Sequence, residues 1–440
     1  MLIFEDKSMF DGMAIKDKNA IKNTHIKALH DAAAYLINNI NEDGYISASA
    51  DYPWYHPHWF RDSSWVAVSL IRYADFCRNS GSSYDEALQA ASRIIAFNAK
   101  AIAHFSGNMK SLNEIRFEDP DFFSLEHHIP SRVNALGELY THGEIDDRKE
   151  LGTRHSWLIQ YDSAPLILYS INEKAKLFGL DDSELSFLKE YAKVIAEYMG
   201  RIYITECASA WEIGEGLLHA YDIASVYSGF ESLKELSEKY DIGIMKDDLE
   251  KIENRLIEGG PLRLLKEFFV ANNVLYNDKK PFAEKPIEGS IDSSEIFIFL
   301  NFGITDQALG CENVEQNTIA TIEKELFGSN MLPIRFKGDT YYKGGRWLLL
   351  GLAFAEYYLR KGALEKGLAI IDYVIGKYKG SYPEQEIINT ASDIDMENFY
   401  ARNGYKPIQN LAWSYAAVIM AIVALLQYKE VQKYNSLKRK

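Results

Sequence analysis

The sequence predicts an all-α protein, an (α/α)6 barrel with short strands in its cleft loops, and three observations lead to this fold class. Apolar residues recur at helical spacing from residue 24 to near the end of the 440-residue chain, as they do in amphipathic and buried helices. About a dozen such segments follow one another, many paired by short turns that contain Gly or Asp. The sequence shows neither the strand–helix alternation of a parallel sheet nor the fixed repeat period of an α-solenoid. A toroid of six inner and six outer helices is therefore favoured.

The helical segments can be taken in chain order. The first three are NTHIKALHDAAAYLINNI, RDSSWVAVSLIRYADFCRN and SYDEALQAASRIIAFNAKAIAHF. The next four are YDSAPLILYSINEKAKLFG, DDSELSFLKEYAKVIAEYMGRI, LHAYDIASVYSGFESLKELSEKY and KDDLEKIENRLIEG. The last five are DSSEIFIFLNFGI, VEQNTIATIEKELF, RWLLLGLAFAEYYLRKG, ALEKGLAIIDYVIGKY and NLAWSYAAVIMAIVALLQYKE. Strand signals are confined to GYISAS, FFVANNVLY and PIRFKGDTYY, which are short enough to belong to loops.

Long polar segments separate these helices. They cover residues 41–60, 107–155, 203–216, 260–290, 329–345 and 379–408. In a toroid each hairpin contributes one loop to the same end, so we expect these segments to build one cleft. No linker rich in Pro, Gly or Ser divides the chain. We predict one barrel at residues 24–433, an N-terminal extension at 1–23 and a C-terminal tail at 434–440.

Composition restricts the partners. The chain carries 48 Lys and Arg against 63 Asp and Glu, a net charge of −15, which disfavours nucleic acid and anionic membrane surfaces and suits a neutral oligosaccharide. No apolar run is long enough to span a membrane, and the first residues do not resemble a signal peptide. Three well-separated cysteines, Cys77, Cys207 and Cys311, favour a reducing compartment. We expect a cytoplasmic protein without a cofactor, and the sequence makes no prediction of oligomeric state.

Two loop segments carry acids at the beginning of predicted helices. In YPWYHPHWFRDSSW, residues 52–65, Asp62 could be a helix cap, and Asp162 in QYDSAP could be another, because Asp is a preferred N-cap residue. His56 and His58 could bind a metal, but no third ligand motif accompanies them. We therefore predict no metal site.

Two further segments carry glutamates. Glu212 and Glu215 lie in AWEIGEGLLHAYD, and Glu384 lies in YPEQE; acids near a helix N-terminus or in a polar loop can be purely structural. Hydrolysis of a glycosidic bond, however, needs one protonated and one ionised carboxyl group. Burial beside Trp211 would raise the pKa of Glu212. Glu212 is thus the candidate acid, and Glu384 the candidate base.

Five segments, WFRDSSW, QYDSAP, WEIGEG, RFKGDTYYKGGRW, and PEQ with LAWSYAA, occur in this order between residues 52 and 417. In these motifs the sequence resembles the glucoamylase family, glycoside hydrolase family 15, as a catalytic-domain-only member of the bacterial, archaeal or isomaltose-hydrolysing kind. The resemblance implies an (α/α)6 barrel and an inverting hydrolase that removes α-linked glucose from non-reducing ends.

The resemblance also implies roles for individual residues. Glu212 matches the general acid and Glu384 the general base. Arg61 and Asp62 would hold hydroxyls of the terminal glucose, Arg335 would bind the leaving-side sugar, and Trp413 would support the loop of the base. The substrate-binding set so implied is Tyr55, Trp59, Arg61, Asp62, Asp162, Trp211, Arg335 and Trp413.

Departures from the family pattern bear on the substrate. Ile213 stands where fungal members have a second glutamate, and GGRW places Arg346 where they have proline. We therefore expect short α-glucosides, with isomalto-oligosaccharides slightly ahead of maltose. Three alternatives remain open: a trehalase-like enzyme, a sugar epimerase on the same toroid, and a non-catalytic sugar-binding or helical scaffold protein.

Overall fold

The computed structural model describes residues 23–51, 55–117, 119–140, 158–212, 216–281, 283–328, 331–339, 341, 344–386 and 408–438. The predicted N-terminal extension lies outside these residues apart from residue 23, where the first helix begins. The described helices are α1 (Asn23–Asn39), α2 (Phe60–Asn79), α3 (Asp85–His104), α4 (Ser106–Leu112), α5 (Ser163–Leu177), α6 (Asp182–Ile202), α7 (Ala220–Lys239), α8 (Lys246–Glu253), α9 (Gly260–Phe268), α10 (Glu295–Leu300), α11 (Asp306–Leu309), α12 (Val314–Leu326), α13 (Leu348–Arg360), α14 (Leu364–Tyr378) and α15 (Ala412–Lys438). Two 3₁₀ turns, Pro120–Phe123 and Leu125–His127, lie between α4 and α5.

Six helices form a closed inner ring. In order around the ring they are α2, α5, α7, α10, α13 and α15, and each contacts the next, with α15 returning to α2. The inner helices are apolar on nearly all sides; in α13, for example, every residue from Leu348 to Leu359 is buried. A helix that is hydrophobic all round has to be covered on all sides. The sequence-predicted (α/α)6 barrel is thereby confirmed.

The outer ring consists of α1, α3, α6, α9, α12 and α14, one before each inner helix along the chain. Each buries one stripe; α3 buries Ala87, Ala90, Ala91, Ile94 and Ile95, the spacing of one helical face. Sequence-local signals set their ends. At the start of α6 the Asp181 side chain accepts from two backbone amides while Glu184 accepts from the Asp181 amide, which is a capping box.

Short antiparallel strand pairs lie at one end of the barrel. The strands are β1 (His58–Trp59), β2 (Arg132–Val133), β3 (Leu218–His219), β4 (Val270–Ala271), β5 (Val274–Leu275), β6 (Asp278–Lys279), β7 (Arg346–Trp347) and β8 (Gln385–Glu386), paired β1–β2, β3–β6, β4–β5 and β7–β8. Strands β1, β3 and β7 run directly into the inner helices α2, α7 and α13. They therefore bring the loops to the end of the barrel where the inner helices begin.

Aromatic rings close the barrel axis beneath these loops. Trp65 of α2 is fully buried; its ring stacks on Trp413 of α15 at 6.4 Å and 7°, and lies 5.3 Å from Phe297 of α10. Three inner helices thus contribute to one plug, which gives the cleft a floor. Among the described residues, no helix is both long and apolar enough to cross a membrane.

Candidate active site

Glu384 lies on the floor of the cleft, one residue before β8. Its amide donates to the Ile408 carbonyl at 2.9 Å, and its carbonyl accepts from the Leu348 amide at 3.2 Å. The side chain is 3% exposed. Its carboxylate accepts from the Tyr55 hydroxyl (2.8 Å), the Tyr341 hydroxyl (3.2 Å) and the Gln385 amide (3.3 Å). Three donors from three loops therefore converge on one carboxylate.

Burial dominates the electrostatics of this group and raises the pKa of Glu384 to about 7. The hydrogen bonds from Tyr55 and Tyr341 and the positive charge of Arg335 lower that pKa, whereas the charge of Glu212 raises it. Donors to a carboxylate stabilise its ionised form. Glu384 is thus a carboxylate that can be ionised near neutral pH because its neighbours offset its burial.

Glu212 lies at the end of a tight turn with backbone φ of 61°, the left-handed region that non-Gly residues rarely adopt. Its amide donates to the Ser209 carbonyl at 2.9 Å, and the Trp211 amide donates to the Ser209 hydroxyl at 3.1 Å. The Trp211 side chain is buried while that of Glu212 is exposed to the cleft. The turn therefore presents the Glu212 carboxyl to a ligand. The second candidate acid, Glu215, lies outside the described residues.

Although Glu212 is accessible from the cleft, the surrounding protein mass raises its pKa. The charges of Arg61, Arg132 and Arg335 lower it, as does a hydrogen bond with Gln160. Glu212 and Glu384 raise each other's tendency to hold a proton, since each carries negative charge when ionised. Such a pair can share one proton near neutrality.

Arg61 joins α2 to the two segments beside it. Its Nε and Nη2 form a fork with the Asp162 carboxylate, its Nη2 also donates to Gln160, and its Nη1 donates to the Ala210 carbonyl at 2.6 Å. These four contacts leave at most one of the five guanidinium N–H groups for a sugar. Arg61 therefore holds the turn that carries Glu212 as well as facing the site.

The alternative reading of Asp62 and Asp162 as helix caps is not supported by the hydrogen bonds. Trp59 occupies the N-cap position of α2, with no side-chain cap bond. Asp162 does occupy the N-cap position of α5, yet its carboxylate makes no cap bond and pairs with Arg61 instead. Burial raises the pKa of Asp62 to about 7, against the lowering effect of Arg61.

Arg335 lies among aromatic rings between the two glutamates. It donates to both oxygens of Asp339 at 2.7 and 2.6 Å. Its guanidinium carbon is 4.8 Å from the Tyr341 ring centroid, 5.1 Å from that of Trp347 and 5.5 Å from that of Trp211. The pairing with Asp339 fixes the orientation of a cation that lowers the pKa of both candidate catalytic groups.

Two predicted substrate-binding residues have mainly protein surroundings. Trp59 is nearly buried in β1, with the Arg132 guanidinium 5.2 Å from its ring centroid. Trp413 is packed among the core rings of the barrel plug. The residue after it supports the base: the Ser414 hydroxyl donates to the Pro383 carbonyl at 2.8 Å. The predicted support of the base loop by this helix therefore has a visible contact, one residue beyond Trp413.

The paired histidines of the first motif have structural partners. His58 is fully buried and bonds to Asn98 and to the Ile46 amide; burial lowers its pKa to about 4. The His56 ring lies 3.0 Å from the Ala50 carbonyl. Within the ranges described above, no group of three His, Cys, Asp or Glu side chains could hold a metal ion.

Several site residues were not identified by sequence reasoning, namely Arg132, Gln160, Asp292, Asp339 and Tyr341. Gln160, Asp339 and Tyr341 lie inside the motifs quoted above, so a residue-by-residue reading of the motifs could have found them. Arg132 and Asp292 lie outside every motif. They approach the site only through strand pairing and loop packing.

Comparison with known proteins adds information about the fold. No family model matches the chain, and no curated protein matches it. Among solved structures, a glycosidase in complex with glucose has a TM-score of 0.72 at 18% identity, covering 92% of this chain and 97% of that one. A bacterial glucoamylase complexed with acarbose has a TM-score of 0.63 at 14% identity, covering 92% of this chain and 57% of that one. A glycoside hydrolase family 15 glucoamylase from Hypocrea jecorina has a TM-score of 0.60 at 15% identity, covering 93% of this chain and 73% of that one. The predicted resemblance is thus confirmed for the architecture: the chain has the (α/α)6 barrel fold of glucoamylase structures.

Proposed function

We propose that this protein is an inverting, exo-acting α-glucosidase with Glu212 as general acid and Glu384 as general base. The observation that carries the proposal is the buried Glu384 carboxylate, held by the Tyr55 and Tyr341 hydroxyls and electrostatically coupled to Glu212 across the same cleft. A glycosidase needs two carboxyl groups in different environments. The fold shared with glycosidases supports the same reading.

The proposed reaction is a single displacement. A water oxygen attacks the anomeric carbon while Glu384 takes one of its protons. The bond from that carbon to the glycosidic oxygen breaks, and the Glu212 carboxyl protonates the departing oxygen. Exchange with solvent returns both groups to their starting states. In this mechanism the carboxyl groups lie roughly 6.5–9.5 Å apart, which leaves room for the water, and an α-glucoside yields β-glucose.

The substrates we propose are short α-glucosides, with isomaltose slightly ahead of maltose and soluble starch poor. Lys343 and Ile213, on which part of that expectation rested, lie outside the described residues. Arg346 does not support it, because its Nη1 donates to the Leu326 and Leu332 carbonyls. Nucleic acid and membrane partners remain disfavoured by the net charge of −15, and the cytoplasmic location stays a prediction from composition.

Glucose release from maltose, isomaltose, trehalose, panose and soluble starch tests the proposal. Glu212→Gln and Glu384→Gln should each lower kcat by about 10²–10⁴-fold, the usual contribution of a general acid or base. Glu267→Gln is the matched control, since Glu267 is paired with Arg263 on the outer surface. NMR of the first product should show the β-anomer.

Each alternative has its own outcome in these assays. An initial α-anomer would show a retaining mechanism, and preferred cleavage of trehalose would favour the trehalase-like reading. Binding of these sugars without glucose release would favour a sugar-binding protein. Full activity of Glu212→Gln together with loss in a Glu215 variant would show that the acid is Glu215.

A further inference from the structure

The indole of Trp211, the residue directly before Glu212, is held by a buried carboxylate from a distant loop. Its Nε1–H lies 3.0 Å from Oδ1 and 2.9 Å from Oδ2 of Asp292. Both side chains are nearly buried. A hydrogen bond to an ionised acceptor is among the stronger neutral-to-charged contacts in a protein. The contact therefore restrains the indole in one orientation.

Asp292 is itself fixed on several sides. Its Oδ1 accepts from the Ser294 amide at 2.7 Å, and its backbone forms a β-bridge with Phe336. The next residue, Ser293, donates its amide to the Arg335 carbonyl at 2.7 Å. The carboxylate that holds Trp211 thus belongs to the loop that also carries the backbone next to Arg335. Burial raises the pKa of Asp292 to about 6, and the contacts with Ser294 and Trp211 lower it.

The turn that carries Glu212 is held from two sides. On one side the Arg61 guanidinium donates to the Ala210 carbonyl at 2.6 Å. On the other side Asp292 holds the Trp211 ring, which also packs on Trp347 at 5.1 Å between centroids. Glu212 has a left-handed backbone conformation that L-residues avoid unless their surroundings enforce it. A turn of this kind needs such restraints to keep its carboxyl in place.

We propose that Asp292 is a positioning residue: by holding the Trp211 indole, it orients the Glu212 carboxyl for proton transfer to the leaving oxygen. The inference rests on the proposed function, because it assigns Glu212 the role of acid. Its chemical consequence is specific. A displacement of about 1 Å can lower a rate by about 10²-fold, and here the loss should fall only on substrates whose departing oxygen needs a proton.

Two substrates separate that effect from general damage to the site. Hydrolysis of an α-1,6-linked disaccharide breaks a carbon–oxygen bond whose alkoxide must be protonated as it leaves. Hydrolysis of α-glucosyl fluoride breaks a carbon–fluorine bond, and fluoride departs as a stable anion without a proton. Both reactions still need Glu384 to activate water. Isomaltose and α-glucosyl fluoride therefore share every step except the one that depends on the acid.

The variants are Asp292→Asn and Trp211→Phe, which remove the contact from opposite ends. For each we expect kcat/KM on isomaltose to fall by roughly 10²-fold, and kcat/KM on α-glucosyl fluoride to fall by less than about 3-fold. The double variant should lose no more than the worse single variant, since both substitutions break one contact. If Asp292→Asn does not fold, as judged by circular dichroism and thermal unfolding, Trp211→Phe alone carries the test.

Asp372→Asn is the matched control. Asp372 lies on outer helix α14 and contacts the ring nitrogen of the buried His25 at 2.8 Å, so the same chemical change is made at the same kind of contact away from the cleft. Both substrates should be unaffected in this variant. Equal losses on both substrates in Asp292→Asn and Trp211→Phe, or no loss in either variant, would overturn the inference.

Glu212→Gln calibrates the experiment and separates the two hypotheses. It should show the same selectivity as the Asp292 variant, with a larger loss on isomaltose. If Glu212→Gln loses isomaltose activity selectively and Asp292→Asn does not, the positioning inference fails while the proposed function stands. If Glu212→Gln shows no selectivity, the assignment of the acid fails first, and the inference fails with it.

Discussion

Replacement of Tyr55 by Phe should move the acidic limb of the pH–activity profile to higher pH. The Tyr55 hydroxyl donates to Glu384 at 2.8 Å and lowers the pKa of that carboxyl, which burial raises to about 7. The pKa of Tyr55 itself is raised well above its ordinary value by burial and by Glu384. Tyr55 therefore remains a donor at every pH at which the enzyme would be assayed.

The size of the shift follows from the hydrogen bond. A bond to a charged group contributes about 1.5–3 kcal/mol, and about 1.4 kcal/mol corresponds to one pKa unit. Loss of the bond should raise the pKa of Glu384 by about one to two units. The base acts in its ionised form, so at pH about 5, kcat/KM should fall by about 10–100-fold. Above the new pKa the variant should approach the unaltered enzyme.

The measurement is kcat/KM for isomaltose against pH, because this ratio reports the ionisation of the free enzyme. Tyr341→Phe should shift the limb by a smaller amount, since its hydroxyl lies 3.2 Å from Glu384. Tyr203→Phe is the control: Tyr203 is equally buried, but its hydroxyl donates to the Glu253 carbonyl at 3.3 Å. A shift of the alkaline limb alone would mean that Glu384 acts as the acid, and no shift in either limb would refute the reasoning.

Three further predictions concern stability and packing. Arg61→Ala should lower the free energy of unfolding in urea by about 3–5 kcal/mol, because it leaves a buried carboxylate unpaired, whereas Arg263→Ala at an exposed pair should change it by less than about 1 kcal/mol. Gly345→Ala should lower kcat/KM by about 3–10-fold, because the added methyl group would overlap the Gln385 amide and displace one of the donors to the candidate base; unchanged kinetics would contradict this. Gly376→Ala should raise the free energy of unfolding by about 0.5–1 kcal/mol, since this site within α14 has free space and Ala is the better helix former.

Helices and barrel class could be predicted because their signals are local. Apolar spacing at three and four residues marks each helix, and nearly continuous apolar segments such as Leu348–Leu359 mark the inner ring. A capping box such as that of Asp181 and Glu184 is complete within four residues. Short range in sequence makes these features readable without knowledge of the neighbours. Motif order pointed to Glu212 and Glu384 in the same way, through residues adjacent along the chain.

The partners of those residues were decided only by the tertiary structure. Asp162 has a helix-cap sequence, yet its carboxylate pairs with Arg61, 101 positions earlier. Trp211 is held by Asp292, 81 positions later, and Glu384 is held by Tyr55, 329 positions earlier. When the six-helix ring closes, the loops at one end converge, and a buried charge is most stable with a charged or donor partner in that space. By itself the sequence therefore determined which segments are helices and which carry chemistry, whereas ring closure decided which side chains hold each carboxyl and shift its pKa.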